Sequence, residues 1–176
     1  MSRCPVIGFD PSPAMVERAR ARATAAGVDL DVRLADIRDL DLEEPAALIS
    51  CRFRALLHLP SWADRRRVFE GVARSLRTGG RFAWNAFAFD HHLAARLDGQ
   101  PQDLPVAHVD RYDVADNRID IALDGGGVSS IWWATKNEWL GLIDVAGLEV
   151  EALYRDFDRS PLTAESRGYV FVATQP

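Results

Sequence analysis

The chain has 176 residues, a formal charge of −5, 48% hydrophobic residues and 27% charged ones. That length fits one domain, residues 1–176, with a sizeable core; the apolar share excludes a disordered chain, and no stretch approaches the roughly 18 apolar residues of a membrane helix. The acidic balance argues against broad nucleic-acid binding, and two cysteines, Cys4 and Cys51, make no disulfide framework, which fits a reducing cytoplasm.

The opening residues do not read as a signal peptide, because the apolar run after Arg3 is broken by Pro5, Gly8 and Asp10. Pro5 to Asp10 reads as a short buried strand ending on an acid. Ser12 as cap and Pro13 in the first turn start a helix over Ala14 to Ala26, with Gly27 as its stop. Leu30, Val32 and Leu34 alternate with polar or small neighbours, predicting a strand that runs to Asp36. Ala46 to Cys51 is a third strand. Ser61 and Asp64 form a capping-box pattern ahead of a helix whose apolar face is Val68, Phe69, Val72, Ala73 and Leu76. Thr78-Gly79-Gly80 ends that helix, and Arg81 to Phe87 is a fourth strand. Such strand–helix alternation with short links predicts a parallel α/β sheet. Arg65-Arg66-Arg67 is expected to be a solvated helix face.

After Asp90 the pattern changes. Gly99 to Pro105 is a polar loop. His108 to Val114 and Arg118 to Leu123 alternate in period two across Ala115-Asp116-Asn117, predicting a hairpin. Gly125-Gly126-Gly127 turns into a strand over Val128 to Ala134. Thr135 and Glu138 cap a further helix through Ala146 with Gly147 beyond it, and two strands follow, Leu148 to Tyr154 and Tyr169 to Ala173. Trp132, Trp133 and Trp139 are expected to pack this small sheet and helix.

Ligands of an open parallel sheet collect at the carboxyl ends of its strands. Asp10, Asp36 and the Cys51-Arg52-Phe53-Arg54 turn sit there. An acid at such a position suits two ribose hydroxyls, although Asp10 equally serves to cap the helix after it. Asp36 suits an adenine amino group with Ile37 over the ring, or simply closes a turn. His58 is the histidine nearest a strand end and the weak candidate for a general base, with packing as the plainer alternative. No metal site is expected, since adjacent His91 and His92 point apart and no cluster completes them.

The order of segments resembles class I S-adenosylmethionine-dependent methyltransferases. Val6 to Arg20 is similar to their second strand and helix, Ala35-Asp36-Ile37-Arg38-Asp39-Leu40 to their adenine-side turn, and Arg52 to Leu59 with Val72 to Phe82 to the segments around strands four and five. Glu138 to Leu148 and Leu153 to Asp158 resemble the last hairpin. The resemblance implies S-adenosylmethionine as cofactor and a small-molecule methyl acceptor as partner, with no role for nucleic acid or membrane. Asp10 would hold the ribose, with Pro11 and Met15 beside it. Asp36 and Ile37 would bind adenine, and Cys51, Arg52 and Phe53 would border the methionine end. Residues from about 91 to 128 correspond to the substrate-cap insertion. Thr78-Gly79-Gly80 departs mildly from proline-glycine-glycine, and the strand near Leu48 lacks its usual opening acid.

The family pattern also contains a first strand and glycine-rich loop ahead of the segment seen here at Val6, and five residues are too few for them. Gly125-Gly126-Gly127 is a hairpin turn and no substitute. The expected fold is therefore an α/β, Rossmann-like methyltransferase sheet lacking its first strand, with a small antiparallel β insertion. Unpaired inward edges cost about 1–3 kcal/mol per buried group. Three outcomes are expected: the flanking strands close up, a second copy covers the edge in a homo-oligomer, or the protein starts further upstream. Impaired methyl transfer, or a catalytically silent binding module, follows for the chain as it stands.

Overall fold

The computed structural model describes residues 5–103 and 105–176. Its first unit is a parallel β–α–β. β1 (Ile7–Asp10) pairs with β2 (Asp31–Leu34), Ile7 opposite Asp31 and Asp10 opposite Leu34, and α1 (Pro13–Ala25) connects them. Ser12 stands at the N-cap, but its hydroxyl makes no capping bond. Asp10 anchors the helix start instead, its Oδ1 accepting the Ser12 N–H at 2.8 Å. Val16 on α1 and Val32 on β2 are the buried apolar residues of this unit.

The main core lies elsewhere. β3 (Ala46–Cys51) runs parallel to β4 (Leu76–Phe87), β4 antiparallel to β10 (Gly168–Thr174), and β10 antiparallel to β9 (Glu149–Tyr154), in the order β3-β4-β10-β9. On β4, alternate residues Phe82, Trp84 and Ala86 are buried, as are Phe171 and Ala173 on β10. Against them pack Val68, Phe69 and Val72 of α2 (Trp62–Ser75) and Trp139, Leu142 and Ile143 of α4 (Lys136–Val145). The rings interlock: Phe69 meets Trp84 edge-on at 5.0 Å, and Trp84 stacks on Phe171 at 4.8 Å. Aromatic pairs in such geometry add about 0.5–1.5 kcal/mol each beyond their burial. Leu48 on β3, of opposite parity to buried Cys51, is exposed.

Two of the three predicted caps form. Ser61 Oγ accepts the Asp64 N–H at 3.0 Å, and Thr135 and Glu138 make a reciprocal capping box. Thr78-Gly79-Gly80 is not the boundary between helix and strand; β4 begins at Leu76, directly after α2. The glycines form a bulge within β4, where pairing jumps from Ala46 opposite Leu76 to Leu48 opposite Arg81. A Cβ on Gly80 would lie 2.7 Å from the Arg77 carbonyl and 3.0 Å from that of Ala46, so only glycine fits.

The stretch after β4 begins with α3 (His91–Leu97), a helix too short to announce itself by periodicity; Asp90 Oδ1 caps it by accepting the His92 and Leu93 N–H groups. An antiparallel sheet follows, β5 (Pro101–Gln102), β6 (His108–Asp113), β7 (Arg118–Leu123) and β8 (Val128–Trp132), paired in that order. Trp133 and Trp139 are buried as expected, Trp133 stacked on Phe89 at 4.1 Å. The reading of Arg65 is corrected. Arg66 and Arg67 are exposed, but Arg65 is buried between α2 and the end of β8, donating to the Trp132 carbonyl.

β1 and β3 share no ladder, for β1 pairs with β2 and β3 with β4 in separate sheets. The two units have not closed up by strand pairing, and each presents a strand edge with no strand beside it among the described residues. No helix of the described residues is long and apolar enough to cross a membrane.

Candidate cofactor site

Adjacent parallel strands deliver the residues that follow them to one edge. Asp10 ends β1 opposite Leu34, and its carbonyl accepts the Ala35 N–H at 3.2 Å, so Asp36 emerges beside it. Both acids are half-buried. Asp10 gives one carboxylate bond to Ser12 N–H. A carboxylate has about four lone-pair sites, so Asp10 keeps capacity for two hydroxyl donors.

Asp36 is more heavily engaged. Its Oδ1 accepts from the Arg38 backbone N–H at 2.9 Å and from Arg38 Nε at 3.0 Å, while Oδ2 accepts from Nη2 at 2.6 Å. The Arg38 guanidinium holds the Asp36 carboxyl below the usual carboxylate range. Arg38 also reaches Asp64 Oδ1 at 3.2 Å, which ties the turn to the start of α2. One further donor can still approach Asp36 Oδ2. Ile37 opens the 3-10 turn Ile37–Asp39 and packs against the main core. Pro11 is exposed, and Met15 lies half-exposed in an open groove along α1 with Ala19, Ala23 and Leu30.

The end of β3 is built differently. Cys51 is buried, and burial pushes its thiol up to about 11, so it forms wall and not nucleophile. Arg52 and Phe53 are exposed, Phe53 to 88%. Phe53 and Arg54 adopt successive left-handed conformations, φ 57° and 61°, at a cost of about 1–2 kcal/mol each. Asn85 on β4 steadies the turn by accepting the Arg54 N–H at 3.1 Å. The Arg52 guanidinium lies 5.8 Å from the Phe53 ring centre and that of Arg54 lies 5.7 Å from the Phe87 ring.

The structure therefore brings Asp10, Pro11, Asp36 and Ile37 to one edge. Cys51, Arg52 and Phe53 lie at the end of a strand in the other sheet. His58 closes the turn Ala55–His58 and places Nδ1 3.2 Å from the Ser130 carbonyl of β8. The reading that His91 and His92 point apart is corrected, since their rings lie 4.0 Å from each other; among the described residues no group of three or more His, Cys, Asp or Glu is arranged to hold a metal. Sequence reasoning missed Arg38, Asp64 and Asn85. The signals present were an arginine two residues after an acid and a lone amide in an apolar strand.

The described residues thus combine a parallel β–α–β unit with acids at its strand ends and a four-stranded sheet finished by an antiparallel hairpin. Residues 1–80 match the family model described as a methyltransferase domain. Among curated proteins, the chain is 36% identical over 109 residues to a carboxy-S-adenosyl-L-methionine synthase of Yersinia pestis (strain Pestoides F), covering 60% of this chain and 40% of that protein. The first curated relatives are spanned over only 31% to 40% of their length. An S-adenosylmethionine-dependent methyltransferase from Clostridium acetobutylicum ATCC 824 superposes with a TM-score of 0.86 at 12% identity, over 97% of this chain and 75% of that one. CalS10 from Micromonospora echinaspora, an amino pentose methyltransferase solved with its cofactor bound, gives a TM-score of 0.69 at 22% identity, over 98% and 74% of the two chains. The chain thus shares the fold of these methyltransferases, and its first 80 residues resemble the methyltransferase-domain family.

Proposed function

We propose that the chain moves the methyl group of S-adenosylmethionine to a small-molecule acceptor. The observation that carries this reading is the pair Asp10 and Asp36, side by side at the ends of adjacent parallel strands within the stretch that matches the methyltransferase model. The adenosine half of the cofactor fits: Asp10 has lone pairs for two ribose hydroxyls, Asp36 for one adenine N–H, and Ile37 lies beside Asp36. When bound, the cofactor supplies a methyl group on a positively charged sulfur. Cys51, Arg52 and Phe53 would border that end. The insertion, about residues 91–128 of a single domain, would roof the acceptor and exclude water. Transfer of this kind depends on alignment more than on a dedicated base. The small-molecule acceptor is supported by CalS10, whose substrate class is an amino pentose.

Charged hydrogen bonds contribute about 1.5–3 kcal/mol each, while micromolar affinity needs about 8 kcal/mol. The bonds offered by Asp10 and Asp36 supply only part of that, so weak binding and impaired transfer by this chain belong to the proposal. The second reading, a catalytically silent module working by self-association, draws on the strand edges of β1 and β3. A second copy sealing them in a homo-oligomer, and a cytoplasmic setting, complete the proposal. Calorimetric titration with S-adenosylhomocysteine separates the two readings. Saturable heat supports the cofactor site, and silence at millimolar ligand leaves the binding module. A single monomeric mass by light scattering would count against self-association.

A further inference from the structure

β8 is the outer strand of the antiparallel sheet. Trp133 N–H donates to the Asn117 carbonyl at 2.9 Å, so in the alternating antiparallel pattern residues 129, 131 and 133 turn their backbone groups toward β7. Ser130 and Trp132 turn theirs outward. Both outward carbonyls are met by side chains from the main unit: His58 Nδ1 at Ser130, 3.2 Å away, and Arg65 Nη2 at Trp132.

The two contacts differ in kind. Arg65 is 4% exposed, its guanidinium carbon lies 5.2 Å from the Trp139 ring centre on α4, and its Nε has no hydrogen-bond partner among the described residues. Burial pulls its charged form down while Glu138 supports it. Leaving this position would strand a buried charge, so the contact is held firmly. His58 is exposed on a short turn, where water can replace its bond at small cost.

We propose that Arg65 and His58 form a two-point mount for the antiparallel cap, with Arg65 as a fixed pivot and His58 as a releasable latch. The outer strand β8 then stays pinned at its Trp132 end and lifts at its Ser130 end, loosening its bonds to β7 there. That this opening admits the acceptor rests on the function proposed above; the mount itself does not. His58 is on this account a positioning residue, which acts through the strand it holds.

Native-state hydrogen exchange on the full chain, without ligand, tests the mount independently of methyl transfer. His58→Ala should speed exchange of the Ser129 and Ile131 amides, which face β7 on either side of Ser130, by about three- to tenfold and leave those of Trp133, β4 and α2 unchanged. Arg65→Met should speed the same amides further and extend the effect into α4, with partial recovery in Arg65→Lys. Unchanged exchange at Ser129 and Ile131 in His58→Ala would overturn the latch, as would an equal rise in β4. Because His58 is exposed, its variant decides the question even where Arg65→Met fails to fold. Loss of cofactor binding with the exchange pattern intact would sink the proposed function and leave the mount standing.

Discussion

Replacing Asp10 by alanine removes two separable things. One is the Oδ1 bond to the Ser12 N–H, 2.8 Å long, which anchors the start of α1 in place of the unused Ser12 hydroxyl. A helix-start acceptor of this type contributes about 0.5–2 kcal/mol. At about 2–4 °C per kcal/mol for a domain of this size, melting should fall by about 1–8 °C. The other is the carboxylate offered to ligand hydroxyls, worth about 1.5–3 kcal/mol, or about 13- to 160-fold in Kd. Asp10→Asn separates them, because its side-chain oxygen still accepts from Ser12 while the charge is gone. Calorimetric titration with S-adenosylhomocysteine, alongside thermal melts, should show Asp10→Asn melting near the native protein but binding more weakly, and Asp10→Ala losing on both counts. Native affinity in Asp10→Ala would refute the ribose role, and equal thermal loss in the two variants would refute the tether.

Three further outcomes are expected. Asp36 has a depressed folded pKa because Arg38 binds its carboxylate, so its stabilisation is full above the unfolded value of about 3.9 and is lost as pH falls through the lower folded value; urea midpoints of native protein and Asp36→Asn should differ near pH 6 and converge toward pH 2. Gly80→Ala should lower the urea midpoint more than Gly79→Ala, since the first meets two carbonyls and the second only the strain of φ +71° in open space. In a Cys4→Ser background, Cys51 should react with an aromatic disulfide reagent at pH 8 only as fast as the protein opens, because burial keeps its thiol protonated until about 11; rapid stoichiometric labelling would contradict the packing at the end of β3.

The readable parts of the fold were those set by local chemistry. Ser61 with Asp64 and Thr135 with Glu138 announce helix starts because capping is a contact between residues three apart, and both bonds are present. Alternation in His108–Asp113 and Arg118–Leu123 yields a hairpin for the same local reason. What sequence could not show depends on distant partners. Arg65 reads as one of three surface arginines until β8, almost seventy residues later, supplies a carbonyl and Trp139 a ring. The engagement of Asp36 was half legible, for Arg38 is next but one, yet Asp64 enters only because α2 packs beside the turn. Phe53 and Arg54 gave no warning of left-handed backbone, since neither residue type favours it.

The position of β10 carries a consequence for biosynthesis. Gly168–Thr174 lies between β4 and β9, and Phe171 stacks directly on Trp84. During translation, the aromatic surface of β4 and α2 is therefore made long before the strand that covers it. The nascent chain must wait, with Trp84 lacking the Phe171 ring that stacks on it, until some ninety residues more have been added. A ribosome stalled before Gly168 would hold a sticky intermediate of the kind chaperones retain. Completion of the sheet is thus timed by the last of its strands to be synthesised.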